Sequence, residues 1–159
     1  MISAIYGIDP GKSGAIVSIS LSKGKLVEVI RMPLLDEDLS KLLNHLVVSS
    51  AWSEVWVERV PKFAGKNQSG ASVATLFSNY RYIVGYLEGR GVTVNQVVPQ
   101  VWMKPYRLRS SGWQMMNYNS RKKYLHEMSL ENFHTDKKSL PRWAADAALI
   151  ALYGSTVNK

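Results

Sequence analysis

The sequence predicts an α/β protein built around a mixed five-stranded sheet. Three strand-like segments follow one another near the N-terminus, and helical patterns alternate with strands from residue 36 onward. Residues 55–60 are apolar on both faces up to a Glu-Arg pair, as expected of a strand in the middle of a covered sheet. With 159 residues and 46% hydrophobic composition, we expect residues 1–159 to form a single domain around one core.

The first three strands are predicted at residues 2–9, 14–20 and 25–31. All three are rich in β-branched and apolar residues, and turn-forming residues separate them at Pro10-Gly11 and at residues 22–24. These connections are too short for a crossover, so we expect the three strands to be antiparallel neighbours.

Helices and strands alternate in the rest of the chain, which gives the order βββ-α-β-α-β-α. An acidic cluster at residues 36–38 suits the positive end of a helix, and apolar residues then recur at helical spacing through residue 47. The next predicted elements are a strand at 55–60, a long helix at 71–88 and a strand at 92–98. The remaining predictions are an exposed loop at 106–119, a short basic helix at 121–128, and a helix at 141–153 capped by Ser139.

Charge and composition limit the function classes. The net charge is +8 with a pI of about 9.7, and residues 101–159 hold 10 of the 20 basic but only 4 of the 12 acidic residues. This favours a polyanionic partner, although a solvated basic face would have the same composition.

The chain has no cysteine, which excludes disulfides, thiolate zinc sites and a cysteine nucleophile. No apolar stretch is long enough to span a membrane and no secretory signal is visible, so we expect a cytoplasmic protein without membrane contact.

Three carboxylates stand in apolar surroundings: Asp9, Glu58 and Asp146. Each has an ordinary explanation, since Asp9 could shape a turn, Glu58 could pair with Arg59 or Arg142, and Asp146 could be a polar residue on a helix. Burying a carboxylate is nevertheless costly unless it is paired or bound to a metal. Together the three suit hard oxygen ligands for Mg²⁺ or Mn²⁺.

The motifs around these acids resemble a known family. Residues 7–11 read Gly-Ile-Asp-Pro-Gly, a strand ends in Val-Glu at 57–58, and residues 144–147 read Ala-Ala-Asp-Ala. Their order and spacing resemble the RuvC-type Holliday junction resolvases of the RNase H-like superfamily, and residues 99–104 are similar to phage-encoded members. The resemblance covers roughly residues 1–153 and implies an RNase H-like fold.

The resemblance also implies an activity. It is that of a homodimeric, metal-dependent endodeoxyribonuclease that cuts branched DNA, four-way junctions above all, by phosphodiester hydrolysis. By position, Asp9, Glu58 and Asp146 would hold Mg²⁺ or Mn²⁺, and Lys104 would hold the scissile phosphate.

One position departs from the family pattern. The family usually has Asp or His three residues before the last Asp, where this chain has Trp143, and His134 and Asp136 lie too far upstream to replace it by spacing. A catalytically impaired protein that binds branched DNA or RNA is therefore the alternative function. An actin-type ATP-binding module also opens with Gly-x-Asp-x-Gly, but this chain is too short for its two lobes.

Further residues are candidates for DNA contact. In the family, the loop after the Glu58 strand enters the junction; here Phe63 could stack on an opened base, or fold back onto the core. The basic residues of that loop and of the C-terminal third would contact phosphates, although each alone could be a solvated charge. The DNA-binding set is Lys62, Phe63, Lys66, Lys104, Arg107, Arg109, Lys122 and Lys123.

Overall fold

A computed structural model describes residues 4–49, 53–61, 69–107 and 111–157. Its centre is a five-stranded sheet in the order β3-β2-β1-β4-β5. The strands are β1 (Ala4–Asp9), β2 (Ala15–Ser20), β3 (Leu26–Arg31), β4 (Ser53–Glu58) and β5 (Val94–Val97). The first three are antiparallel, whereas β4 runs parallel to β1 and β5 parallel to β4. This confirms the predicted mixed sheet. Residues 2–3 of the first predicted strand lie outside the described residues, and the ends of the other strands differ from the prediction by no more than two residues.

Helices cover both faces of the sheet. They are α1 (Asp36–Ser49), α2 (Gly70–Gly89), α3 (Pro99–Trp102), α4 (Ser111–Met115), α5 (Tyr118–Phe133) and α6 (Ala145–Val157). Side chains alternate across a strand, so each strand serves two cores. One core joins the sheet to α1 and α2, and the other joins it to α3, α5 and α6. No described helix is both long enough and apolar enough to cross a membrane.

Helix α6 lies unusually close to the middle of the sheet. A Cβ added to Gly7 of β1 would overlap the backbone of Ala147 and Ala151, and one added to Gly154 would overlap the ring of Trp56. Only glycine allows this approach at these two positions. The close packing places the first turn of α6 beside the C-terminal end of β1.

The region after β5 is more helical than the sequence predicted. Residues 99–102 form α3, and α4 lies within the predicted loop at 106–119. Helix α5 is twice as long as the predicted helix at 121–128. Its start is set by Asn117, whose side chain accepts the backbone N–H of Ser120 and so caps the helix. Packing on α6, rather than a strong apolar stripe, supports this helix.

The predicted cap of the last helix was wrong. Ser139 does not cap it; its backbone N–H donates to the carboxylate of Asp136. The chain leaves the extended Pro141 through a single 3₁₀ turn at Arg142–Ala144, and α6 follows directly. Asp146 therefore lies in the first turn of α6, where the helix dipole favours a negative charge.

Candidate active site

The three acids singled out in the sequence lie together at one edge of the sheet. Asp9 and Glu58 are the last residues of β1 and β4, which are neighbouring parallel strands. Asp146 approaches from the start of α6. The proximity has an electrostatic consequence, because burial and the charge of Asp146 raise the pKa of Asp9. Burial, Asp9 and Asp146 raise the pKa of Glu58 from 4.5 to about 8.

Asp9 is held by the turn that follows it. The backbone N–H of Gly11 donates to Asp9 Oδ1 at 3.1 Å, and Asn79 of α2 donates to the carbonyl of Pro10 at 2.6 Å. A Cβ on Gly14 would overlap the backbone of Asp9, so the turn folds back tightly against the acid. Asp9 therefore does shape the turn, as the sequence suggested, and the same hydrogen bond fixes the orientation of its carboxylate.

Glu58 has an indole as its partner. Trp102, which is fully buried in α3, donates its Nε1–H to Glu58 Oε2 at 2.9 Å. This hydrogen bond favours the ionised carboxylate and so acts against the rise of the Glu58 pKa. Of the two arginines that the sequence offered as partners, Arg59 is exposed and Arg142 donates to the backbone carbonyl of Asn119.

Asp146 is paired with a lysine. Lys122 Nζ from α5 donates to Asp146 Oδ2. Burial disfavours the ammonium form, but the attraction of Asp146, and to a lesser degree of Asp9, outweighs it and raises the pKa of Lys122. Lys122, predicted as a DNA contact, therefore lies beside the acid cluster, and its charge counteracts the rise in the pKa of Asp9 and Glu58.

The donor set suits a hard divalent cation in chemistry and in charge. Three carboxylates share the site with one ammonium group, and their mutual repulsion is what a bound cation would relieve. As the side chains stand, no three His, Asp or Glu groups among the described residues surround a single ion-sized point. Lys122 Nζ contacts Asp146 Oδ2, so coordination of an ion through that oxygen would require the ammonium to move.

The fourth family position is aromatic. Trp143 is half-buried, and the guanidinium of Arg31 lies 5.9 Å from its ring centroid. The two upstream residues have other roles. Asp136 accepts the backbone N–H groups of Lys138 and Ser139, and His134 ends α5 in a left-handed conformation. Neither is among the groups that shift the pKa of Asp9 or of Glu58.

The other predicted DNA contacts are partly described. Lys104, Arg107 and Lys123 are exposed and form no ion pair with a described residue. Lys62, Phe63, Lys66 and Arg109 lie outside the described residues. Sequence reasoning missed two features of the site: the indole of Trp102, which the motif at 99–104 marked only as a resemblance, and the pairing of Lys122 with Asp146.

Comparison with solved structures identifies the fold. The structure matches T. thermophilus RuvC in complex with a Holliday junction substrate with a TM-score of 0.63 and 15% sequence identity, covering 98% of this chain and 95% of that one. A second Thermus thermophilus RuvC structure matches with a TM-score of 0.57 and 18% identity over the same shares. The chain has a RuvC-like fold. No protein-family model and no curated protein matches the sequence.

The RuvC-like fold is an RNase H-like fold, as the motifs implied. At these identities the likeness speaks for the fold and not for the chemistry. Within the fold, Asp9 and Glu58 occupy the C-terminal ends of two adjacent parallel strands, the usual place for a site in an open α/β sheet.

Proposed function

We propose that this chain is a metal-dependent endonuclease selective for branched DNA, a Holliday junction resolvase that acts as a homodimer in the cytoplasm. The observation that carries the proposal is the gathering of Asp9, Glu58 and Asp146 at one edge of a RuvC-like sheet. A structural neighbour is RuvC bound to a Holliday junction, and the excess of positive charge in residues 101–159 suits a DNA partner.

Mg²⁺ or Mn²⁺ held by the three acids would supply charge neutralisation at the phosphodiester and activation of a water. The chain's own residues prepare that site. The Gly11 N–H and the turn held by Asn79 fix the direction of Asp9. Lys122 keeps a positive charge beside the acids. If a bound cation neutralised Asp146 instead, the ammonium of Lys122 would be free to pair with a DNA phosphate.

DNA binding would come from the exposed basic residues. Lys104 begins the 3₁₀ turn that follows α3, the helix that carries the partner of Glu58, and it would hold the scissile phosphate. Arg107 and Lys123 would contact the backbone on either side, and Phe63 would stack on an opened base. A homodimer would present two such sites, one for each strand to be cut.

The assay is cleavage of a labelled four-way junction, a linear duplex and a flap, with Mn²⁺ or with EDTA. We expect the branched substrates to be cut in Mn²⁺ and not in EDTA, with 5′-phosphate and 3′-hydroxyl ends as the products. Asp9→Asn is expected to bind junctions without cutting them, because the amide retains the turn but loses the charge. Asp38→Asn, an exposed acid on α1, is the control and should cut like the unmodified protein. Unchanged cutting by Asp9→Asn contradicts the assignment.

A second function, junction binding without cleavage, is favoured by two observations. Trp143 supplies no ligand at the fourth position, and Lys122 already neutralises Asp146. This candidate predicts that the unmodified chain binds four-way junctions and shows no cutting that depends on Mn²⁺. The same assay therefore separates the two functions.

A further inference from the structure

We propose that Trp102 is a positioning residue, whose indole N–H holds the Glu58 carboxylate in the orientation that a divalent cation needs. The inference rests on the proposed function, since it assigns a role to a residue that supports a proposed metal ligand. It adds a residue that touches neither the DNA nor the ion.

The contact is built into the core and is not a chance surface meeting. Trp102 has no solvent exposure, and its Nε1 lies 2.9 Å from Glu58 Oε2, although the two residues are 44 positions apart in sequence. Helix α3, which carries Trp102, packs against α6, which carries Asp146. The indole is therefore fixed between the elements that supply two of the three acids.

The choice of tryptophan is informative. A fully buried indole N–H needs an acceptor, and this one uses a carboxylate oxygen of the site. A phenylalanine would supply apolar packing at this place without that demand. What tryptophan adds is a donor that engages one of the two carboxylate oxygens of Glu58, Oε2. Hydrogen bonds of this kind orient metal ligands, and their loss typically weakens metal binding by about 10–100-fold.

The chain contains a matched control, a second indole whose acceptor lies on the same strand as Glu58. Trp56 of β4 is also buried, and its Nε1 donates to Glu54 Oε1 at 2.8 Å. Glu54 stands near the N-terminal end of β4, whereas Glu58 ends it. Trp56→Phe therefore removes an indole-to-glutamate hydrogen bond from β4 and leaves the hydrogen bond to Glu58 in place.

The test is a titration of Mn²⁺ into the protein without DNA, in which electron paramagnetic resonance measures the concentration of the free ion. We expect Trp102→Phe to bind Mn²⁺ about tenfold more weakly than the unmodified protein, and Trp56→Phe to bind it equally well. Asp9→Asn serves as the reference for loss of the site. An affinity of Trp102→Phe equal to that of the unmodified protein, or an equal loss in Trp56→Phe, overturns the inference. Binding that Asp9→Asn does not reduce overturns the proposed metal site itself.

A second measurement needs no variant that could fail to fold. In the ¹⁵N–¹H spectrum of the unmodified protein, the indole resonance of Trp102 is expected to shift when Mg²⁺ is added, because its acceptor changes partners. The indole resonance of Trp56 should not move. A Trp102 resonance that stays in place while Mg²⁺ binds contradicts the role assigned to it.

Discussion

Replacing Glu58 with glutamine should stabilise the metal-free protein at alkaline pH. Burial and the neighbouring acids raise the pKa of Glu58 from 4.5 to about 8, so between these values the folded protein holds a proton that the unfolded chain has lost. Stability therefore falls as pH rises through this window, and the loss is complete above the folded-state pKa. The glutamine amide oxygen can still accept the Trp102 indole N–H, so the variant removes the charge and keeps the hydrogen bond.

The size of the effect follows from linkage. One pKa unit corresponds to about 1.4 kcal/mol, which gives an upper limit of ~3 kcal/mol for the change between about pH 5.5 and about pH 8.5. Glu58 keeps some contact with water, so we expect the stability difference between the two proteins to change by roughly 1–3 kcal/mol over this pH range. The measurement is urea unfolding in EDTA for both proteins at the two pH values. Because other titrating groups are common to both, their difference isolates Glu58 and its coupling to Asp9. A difference that does not grow with pH, or that grows in favour of the unmodified protein, refutes the reasoning.

Two further predictions concern the support of the site. Lys122→Gln leaves Asp146 without its ion-pair partner, so we expect it to destabilise the metal-free protein by roughly 1–3 kcal/mol in urea unfolding, whereas the exposed Lys123→Gln changes little. Gly7→Ala forces a methyl group into the backbone of α6 and should cost several kcal/mol, about 3 or more, in the same assay. Gly85→Ala, in open space on α2, should instead stabilise by about 0.5–1 kcal/mol, and equal effects at the two glycines would contradict the close helix–sheet packing.

The sheet could be predicted because its signals are local. Short connections force the first three strands to be antiparallel, and a strand apolar on both faces has its place in the middle of the sheet. Asp9 and Glu58 stood out through their apolar surroundings and the motifs around them, and the structure brings them together because the carboxyl ends of two neighbouring parallel strands meet at one edge. Asp146 needed the motif resemblance, because nothing in a helix sequence says which end of a sheet that helix meets.

The supporting residues could not be predicted, because they reach the site through packing between distant segments. Lys122 lies 24 residues from Asp146, and Trp102 lies 44 residues from Glu58. Helix α5 has almost no apolar stripe, so its sequence indicates a solvated basic helix and gives no sign that one lysine turns inward. Local propensity also missed the start of α5, which a single cap residue, Asn117, determines.

The hydrogen bonds to Asp9 and Glu58 do not depend on the charge of these two acids. The Gly11 N–H that binds Asp9 Oδ1 would bind an asparagine oxygen as well, and the Trp102 indole would bind a glutamine at position 58. Amides in these places would keep the contacts and remove the repulsion that raises the pKa values of Asp9 and Glu58. What the carboxylates supply beyond such amides is negative charge at one edge of the sheet. The chain has only 12 acids and places three of them here, where Lys122 supplies a single positive charge, and this imbalance is what the cation of our proposal would relieve.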